Sequence, residues 1–229
     1  MIDHVHDLHS VRAATDRLLS AVAKLDNASL AEPSRLPGWT RGHILAHLAR
    51  NADALVNVFE GRPMYASAEA RDADIERDAG RTLEEQLTDV RDSADRWQAV
   101  TEVPADWSRT VELRNGVTDS AARVPFRRLV EVELHHVDLG IGYELADLPA
   151  EFTAREIEFL AERWSGRPEV PPVALVAADG GRWHTGSAEG TQVTVRGTSA
   201  DILGWLAGRG DKGAALTVDG GTLPALPPL

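Results

Sequence analysis

The chain has 229 residues, of which 43% are hydrophobic and 26% are charged, so it is long enough for two domains and apolar enough to bury a core. It has no cysteine, which excludes disulfides, thiolate metal sites and a cysteine nucleophile. Its 36 acidic and 24 basic residues give a formal net charge of −12, which argues against a protein that binds duplex nucleic acid.

No segment that we identify is typical of a secretion signal or a membrane span. The N-terminus is charged from Asp3 onward and lacks an apolar signal core. The uncharged stretch at 170–178 is far too short to cross a bilayer. We therefore expect a cytoplasmic protein that has neither nucleic acid nor membrane as a partner.

Apolar residues spaced by three and four positions predict helices over the first 140 residues. The predicted helices cover, in chain order, 8–25, 40–61, 83–97 and 125–140. Thr82 and Glu85 form a capping box before the third, and Asn115-Gly116 predicts a hairpin or loop before the fourth. The inward positions of the fourth helix are expected to be Phe126, Val130, Leu134 and Val137. Four helices with separate apolar faces predict a bundle.

The pattern changes after Leu148-Pro149. The expected elements are a helix at 152–164, strands at 173–178, 191–196 and 215–218, and a short helix at 199–207 capped by Ser199. We therefore predict an α+β multidomain protein, with a four-helix bundle at residues 1–148 and a small α/β domain at residues 149–229.

The histidines are the most informative residues. His43 and His47 fall in the second predicted helix, and His135 and His136 fall in the fourth. Glu131 lies four residues before His135, so these two side chains project from one face of their helix. Neighbouring helices could bring that face against His47. Two imidazoles and one carboxylate suit zinc or another divalent cation and leave coordination positions open for substrate.

The spacing also leaves alternatives open. Glu133 with His136 is a second ligand pair, at the i, i+3 spacing. Residues one position apart on a helix differ by about 100° in direction. We therefore expect only one of Glu131 and Glu133, and only one of His135 and His136, to point inward. Asp138, three residues after His135, is either a carboxylate that holds the imidazole or a solvated charge at the helix end. A histidine on an apolar helix face can also be a core residue with a satisfied hydrogen bond.

Other patterns carry weaker signals. His4, His6 and His9 resemble a metal motif, but we expect them to be exposed at a chain terminus. The glycines at 208–213 match the G-x-G-x-x-G pattern of dinucleotide-binding proteins but not its structural context. That pattern needs a strand before it and a helix after it, whereas these glycines follow a predicted helix and precede a strand. Arg209, within that stretch, can complement the dipole of the preceding helix or clamp a carboxylate with its planar guanidinium.

Three segments resemble the mycothiol-dependent maleylpyruvate isomerase family: GWTRGHILAHLARNAD at 38–53, EVELHHVDL at 131–139 and ILGWLAGR at 202–209. The resemblance covers essentially the whole chain. It implies a DinB-like, metal-binding four-helix bundle followed by a small sterol carrier protein-like α/β domain.

The resemblance also implies a chemistry. A divalent metal, usually zinc, is expected at His47, Glu131 and His135, and Arg209 is expected to act in catalysis or to bind a substrate carboxylate. Mycothiol is the implied thiol cosubstrate. The resemblance does not identify the residues that contact mycothiol, and Arg71 is one plausible candidate. The implied reaction converts maleylpyruvate to fumarylpyruvate in aromatic catabolism, by addition of a metal-activated thiolate, bond rotation and elimination. A chain without cysteine must borrow that thiolate.

Two other functions fit the same residues. A metal-dependent mycothiol S-transferase would use the same metal and thiol sites but would leave the sulfur in its product. A metal-binding or ligand-binding regulator would bind without thiol-dependent turnover. The choice of electrophile depends on the shape of the pocket and not on the metal motif. We expect a small-molecule substrate and a monomer or a dimer.

Overall fold

The computed structural model describes residues 2–103 and 105–227. The chain folds into two units, an N-terminal unit, Met1–Tyr143, and a C-terminal unit, Glu144–Leu229. Helices dominate the N-terminal unit, and the C-terminal unit contains a four-stranded sheet. The predicted α+β class is therefore confirmed. No helix in the described ranges is long and apolar enough to span a membrane.

The helices of the N-terminal unit pack around a core that includes Leu18, Ile44, Leu48 and Trp97. They are α1 (His4–Val22), α2 (Asn27–Leu30), α3 (Arg41–Phe59), α4 (Ala68–Ala79), α5 (Leu83–Glu102) and α6 (Val124–Asp138). Helix α1 packs on α6, and α3 packs on α4 and α5. The four helices predicted from periodicity correspond to α1, α3, α5 and α6.

Local sequence signals define where these helices begin. The Thr40 side chain accepts from the backbone N–H of His43, whose ring bonds back to the N–H of Thr40. Thr82 and Glu85 form the expected reciprocal capping box of α5. Each box satisfies backbone donors that the first helical turn leaves free.

Helix α4 is an element that the sequence pattern did not indicate. Ile75 is its one large apolar residue, and the remaining positions are mainly alanine, aspartate, glutamate and arginine. A helix with so narrow an apolar face gives little periodic signal.

A short hairpin precedes α6. Strands β1 (Thr110–Glu112) and β2 (Thr118–Ser120) pair antiparallel. Asn115 and Gly116 both have positive φ, of 59° and 72°. Asparagine and glycine tolerate that region best, so the turn predicted at this dipeptide is confirmed.

The C-terminal unit is built on one mixed sheet. Its elements are α7 (Ala150–Trp164), β3 (Val173–Ala177), β4 (Arg182–Thr185), β5 (Val193–Gly197), α8 (Ser199–Ala207) and β6 (Thr217–Asp219). The strand order is β4-β3-β5-β6, with β3 and β5 parallel and both outer pairs antiparallel. Helix α7 packs against α8 and β4.

Two details of this unit differ from the prediction. Strand β4 was not predicted, because Arg182–Thr185 is a mostly polar edge strand whose pairing comes from β3. The cap of α8 is Thr198 and not Ser199, since Thr198 accepts from the N–H of Asp201 and Asp201 bonds back to Thr198.

Candidate metal centre

The centre forms where α3 and α6 face each other in the N-terminal unit. Helix α3 carries His47, and α6 carries Glu131 and His135 one turn apart. Pro125 lies in the first turn of α6, where its fixed φ favours helix initiation and its missing N–H leaves no bond unmade. The spacing of four residues then places both α6 side chains on one face.

The three side chains meet at one carboxylate oxygen. Oε2 of Glu131 lies 2.9 Å from Nε2 of His47 and 3.2 Å from Nε2 of His135. The two imidazole rings are nearly perpendicular, with centroids 4.7 Å apart. One ligand atom from each residue lies within 4.8 Å of the other two. Such a cluster can surround a single small cation.

Burial of the cluster is uneven. The His47 and His135 rings are almost fully enclosed, whereas 35% of the Glu131 side chain is exposed. The histidine nitrogens therefore lie within packed protein. The Glu131 carboxylate lies on the side from which small molecules can approach.

Asp138 fixes the orientation of His135. Its Oδ2 lies 2.9 Å from Nδ1 of His135, and the carboxylate is buried. An ionised carboxylate only accepts, so Nδ1 carries a proton and Nε2 faces the cluster. This arrangement of carboxylate, histidine and metal is common in proteins, because it sets the tautomer of the ligand. Of the two interpretations of Asp138, the structure supports the one in which it holds the ring.

Arg71 of α4 contacts the other side of His47. Its guanidinium lies 3.2 Å from Nδ1 of His47 and 5.9 Å from the ring centre of Tyr65. Since a guanidinium can only donate, Nδ1 accepts and the His47 proton lies on Nε2, which donates to Glu131. A metal can bind Nε2 of His47 only after this proton has left that nitrogen. Sequence spacing alone could not place Arg71 here, because α4 had no detectable pattern.

The pKa shifts of the cluster follow from burial and close contacts. Burial lowers the pKa of His47 to about 4, although Glu131 opposes this. Burial acts to raise the pKa of Glu131, but its hydrogen bonds with His135 and His47 hold it well below its usual range. Burial acts to lower the pKa of His135, yet Asp138 and Glu131 raise it. A cation needs an ionised Glu131 and a neutral His47, and it also needs Nε2 of His47 to be free of its proton.

The alternative pair of ligands lies elsewhere. Glu133 accepts hydrogen bonds from Arg17 and from the Tyr143 hydroxyl, the latter at 3.0 Å. The His136 ring stacks on Tyr143 with centroids 4.0 Å apart. As expected, only one member of each pair joins the cluster, although Glu133 and His136 are buried as well, on another face of α6. Helix α6 has neighbours on two sides, α1 and α3, so two of its faces are covered.

The remaining histidines of the N-terminal unit do not join the cluster. His43 belongs to the cap of α3 and lies 3.1 Å from Glu76. His6 and His9 are exposed on α1, as expected, whereas His4 is partly covered and stacks on Trp107. Within the described ranges, three His, Asp or Glu side chains converge at one place, which is the group of His47, Glu131 and His135.

Arg209 lies in the C-terminal unit, in the turn after α8. Gly208 and Gly210 on either side have positive φ, and Arg209 donates from its side chain to the carbonyl of Ala207 at 3.0 Å. Its backbone N–H donates to the carbonyl of Gly204. The glycines at 208–213 follow a helix and precede strand β6, an order that does not form a dinucleotide-binding turn.

The donor set fits a divalent metal. Two imidazole nitrogens and one carboxylate oxygen are ligands that zinc and similar ions prefer, and three protein ligands leave positions open. Asp138 orients Nε2 of His135 toward the cluster, and Glu131 is ionised there, so both residues can ligate one cation once the histidine nitrogens have lost their protons.

Comparison with known proteins adds independent evidence. The family model described as the mycothiol maleylpyruvate isomerase N-terminal domain matches residues 11–140, and the model of the corresponding C-terminal domain matches residues 147–228. No curated protein is a significant match.

Two similar solved structures are a mycothiol-dependent maleylpyruvate isomerase and a histidine-to-alanine mutant of an enzyme with that name. Each is 27% identical in sequence, and each comparison covers 99% of this chain and 97% of the other. The TM-scores are 0.89 and 0.88. Because the two domain models together match nearly the whole sequence, the chain belongs to the mycothiol maleylpyruvate isomerase family.

Proposed function

We propose that this protein is a mycothiol-dependent isomerase that converts maleylpyruvate to fumarylpyruvate. The observation that carries the proposal is the meeting of His47, Glu131 and His135 at one point, in a chain whose two units both match this family. The similar solved structures, which span almost the whole chain, support the same activity.

The same three residues are proposed to hold a divalent metal, with zinc as the best candidate. Histidine and glutamate are ordinary zinc ligands, and the absence of cysteine makes this an N/O site. When bound, the metal would supply a coordination position that keeps a thiol sulfur deprotonated near neutral pH. Asp138 holds the His135 ring in the required tautomer, and the buried walls around both rings limit access of water.

The proposed reaction returns the thiol unchanged. The thiolate sulfur of mycothiol adds to one carbon of the cis double bond, and the electron pair of that bond moves to the conjugated carbonyl as an enolate. The bond between the former alkene carbons is then single and can rotate. The enolate re-forms the double bond in the trans geometry as the sulfur leaves. No oxidant, reductant or additional atom is needed.

Arg209 is proposed to bind a carboxylate of the dianionic substrate and to stabilise the enolate charge. The support is the resemblance of its segment to the family, together with a planar guanidinium in a turn flanked by glycines.

The proposal is tested by measuring the loss of maleylpyruvate by zinc-loaded protein, with and without mycothiol, alongside the bound metal. We expect turnover only with mycothiol. His47→Ala, His135→Ala and Glu131→Ala should each lose metal and lower the rate by at least about 100-fold, since each removes a ligand.

Two matched controls test the ligand assignment. Glu133→Ala, on the same helix, and His184→Ala, at an exposed histidine of β4, should keep the metal. Full metal content in a His47 or His135 variant, or metal loss in Glu133→Ala with retention in Glu131→Ala, would show that the ligand set is wrong.

A further inference from the structure

Arg128 of α6 is a buried cation whose hydrogen bonds go to neutral groups. Only 1% of the residue is exposed. One guanidinium nitrogen donates to the backbone carbonyl of Leu48 at 2.9 Å and to Oδ1 of Asn51 at 2.8 Å, both on α3. Its Nε is buried and has no hydrogen-bond partner among the described residues. Burial lowers the pKa of Arg128 to about 10, although the charges of Glu131 and Asp53 oppose this, and Arg128 stays charged at neutral pH.

Such an arrangement is unfavourable if packing is its only purpose. Burial of a charge is costly, and a neutral carbonyl and an amide compensate it less than a carboxylate would. An apolar side chain of similar volume is often at least as stable in such a position. The best-attested benefit of a buried polar residue is that it fixes how two helices align.

The position of Arg128 matches that benefit. Arg128, Glu131 and His135 follow the i, i+3, i+7 spacing of one helix face, and His47 and Asn51 follow the i, i+4 spacing of another. Two cross-helix contacts result: His47 with Glu131 at 2.9 Å, and Asn51 with Arg128 at 2.8 Å. The later residue of α3, Asn51, contacts the earlier residue of α6, Arg128, so the two helices run antiparallel here. The two contacts lie about one helical turn apart.

A small slip between these helices would disrupt the cluster. One residue along a helix corresponds to about 1.5 Å. Because the contact between His47 and Glu131 runs across the two helices, a slip of two residues, about 3 Å, would stretch it from 2.9 Å to about 4.2 Å, beyond hydrogen-bond distance. Arg128 bonds to both Leu48 and Asn51, which lie one and four residues after His47, so it restrains the part of α3 that carries this ligand.

We infer that Arg128 is a positioning residue that fixes the alignment of α3 with α6 and thereby holds His47 against Glu131 and His135. It touches neither substrate nor metal in this role. The inference rests on the proposed function only where it concerns metal affinity, because the alignment itself exists without a metal.

The test compares Arg128→Met, which keeps length but removes the charge and the donors, with Arg127→Met. Arg127 is the neighbouring residue on α6, is 28% exposed and pairs with Asp119. Two quantities are measured: the histidine ring ¹⁵N shifts of the metal-free protein, which report the hydrogen bonds of His47, and the dissociation constant for Zn²⁺. A role in packing alone would change thermal stability and leave both quantities unaltered.

We expect Arg128→Met to lose the ¹⁵N signature of the hydrogen bond from His47 to Glu131 and to bind Zn²⁺ at least about tenfold more weakly. Arg127→Met should resemble the wild type. Unchanged His47 shifts and unchanged affinity in folded Arg128→Met would overturn the inference. If the wild type itself binds no Zn²⁺, the metal proposal fails, but the shifts of the metal-free protein still decide the role of Arg128.

A second pair of variants covers the case in which Arg128→Met does not fold. Asn51→Leu removes the side-chain acceptor, and Asn51→Asp keeps an oxygen for Arg128 at the same position. The inference predicts altered His47 shifts and weaker Zn²⁺ binding in Asn51→Leu, and wild-type behaviour in Asn51→Asp. Identical results for both variants would contradict it.

Discussion

His135 and His136 are adjacent on α6 but have opposite electrostatic environments. Asp138 and Glu131 raise the pKa of His135 despite its burial. Burial lowers the pKa of His136 to about 4, and the charge of Arg17 adds to the effect. Neither ring nitrogen of His136 has a hydrogen-bond partner in the described part of the chain. At neutral pH, His136 is therefore a neutral aromatic ring packed on Tyr143.

His136 should make folding sensitive to mild acid. The pKa of His136 is about 4 in the folded protein, against an ordinary value of 6.5 that applies to the unfolded chain. The unfolded chain therefore takes up the proton first as the pH falls. The contribution of His136 to stability is thus present above about pH 6.5 and is lost as the pH falls towards about 4. Between about pH 7 and pH 5 we expect the wild type to lose about 2 kcal/mol more unfolding free energy than His136→Phe, which keeps the stacking.

The measurement is denaturant unfolding of the metal-free protein at both pH values. His9→Phe, at an exposed histidine of α1, is the control and should follow the wild type. Superimposable pH profiles of His136→Phe and the wild type would contradict the argument.

At this scale, sequence reasoning could identify residues that share one helix face. Glu131 and His135 are four apart, and their convergence follows from helix geometry once the helix is known. The roles of Arg71 and Arg128 could not be predicted in this way. Arg71 approaches from a helix without a pattern, and the partners of Arg128 are a backbone carbonyl and an amide 77 to 80 residues away in sequence.

A buried carboxylate anchors the C-terminal end of helix α4. Asp78, which is buried, pairs with Arg50 of α3 at 2.9 Å, Arg77 at 2.8 Å and Arg81 at 2.9 Å. One buried carboxylate therefore fixes the C-terminal end of the helix whose Arg71 contacts His47.

Asp78→Asn should be strongly destabilising. The change keeps the shape of the side chain but removes the buried carboxylate that the three guanidinium groups share. Each group keeps a second acidic partner, so we expect the loss of these charge-assisted hydrogen bonds to cost about 2 to 3 kcal/mol. Asp74→Asn, on the exposed side of the same helix, removes one surface contact with Arg77 and should cost less than about 1 kcal/mol. Unfolding free energies from denaturant titration provide the comparison, and equal losses in the two variants would argue against a central role for Asp78.

Elements with strong periodicity or caps could be predicted, and elements fixed by tertiary contacts could not. Thr40 and Thr82 indicated the starts of α3 and α5 because a cap is a local arrangement. The fourth predicted helix was correct, but Val130 is only half-buried and Leu129 is in the core. Which side of a helix is covered depends on its neighbours, α1 and α3 in this case, and those are not encoded locally.

At the scale of the whole molecule, both units match the same family. Arg209, in the C-terminal unit, is the residue proposed to bind a substrate carboxylate. Arg209→Ala should keep the bound metal and lower kcat/KM for maleylpyruvate by at least about 100-fold, because a preorganised donor to the developing charge is lost.

Arg196→Ala is the control for this variant. Arg196 lies in the same unit on β5 and pairs with Asp219 at the surface, so its loss should leave turnover intact. Metal content and steady-state kinetics are measured on both proteins. Wild-type kinetics for Arg209→Ala would return Arg209 to the simpler role of complementing the dipole of α8.

The most direct test of the account is a progress curve with maleylpyruvate in large excess over mycothiol and with zinc-loaded wild-type protein. Because elimination regenerates the thiol, the account predicts complete conversion to fumarylpyruvate and full recovery of free mycothiol. A reaction that stops once the thiol has been consumed, with the sulfur retained in the product, would contradict it and would indicate a transferase.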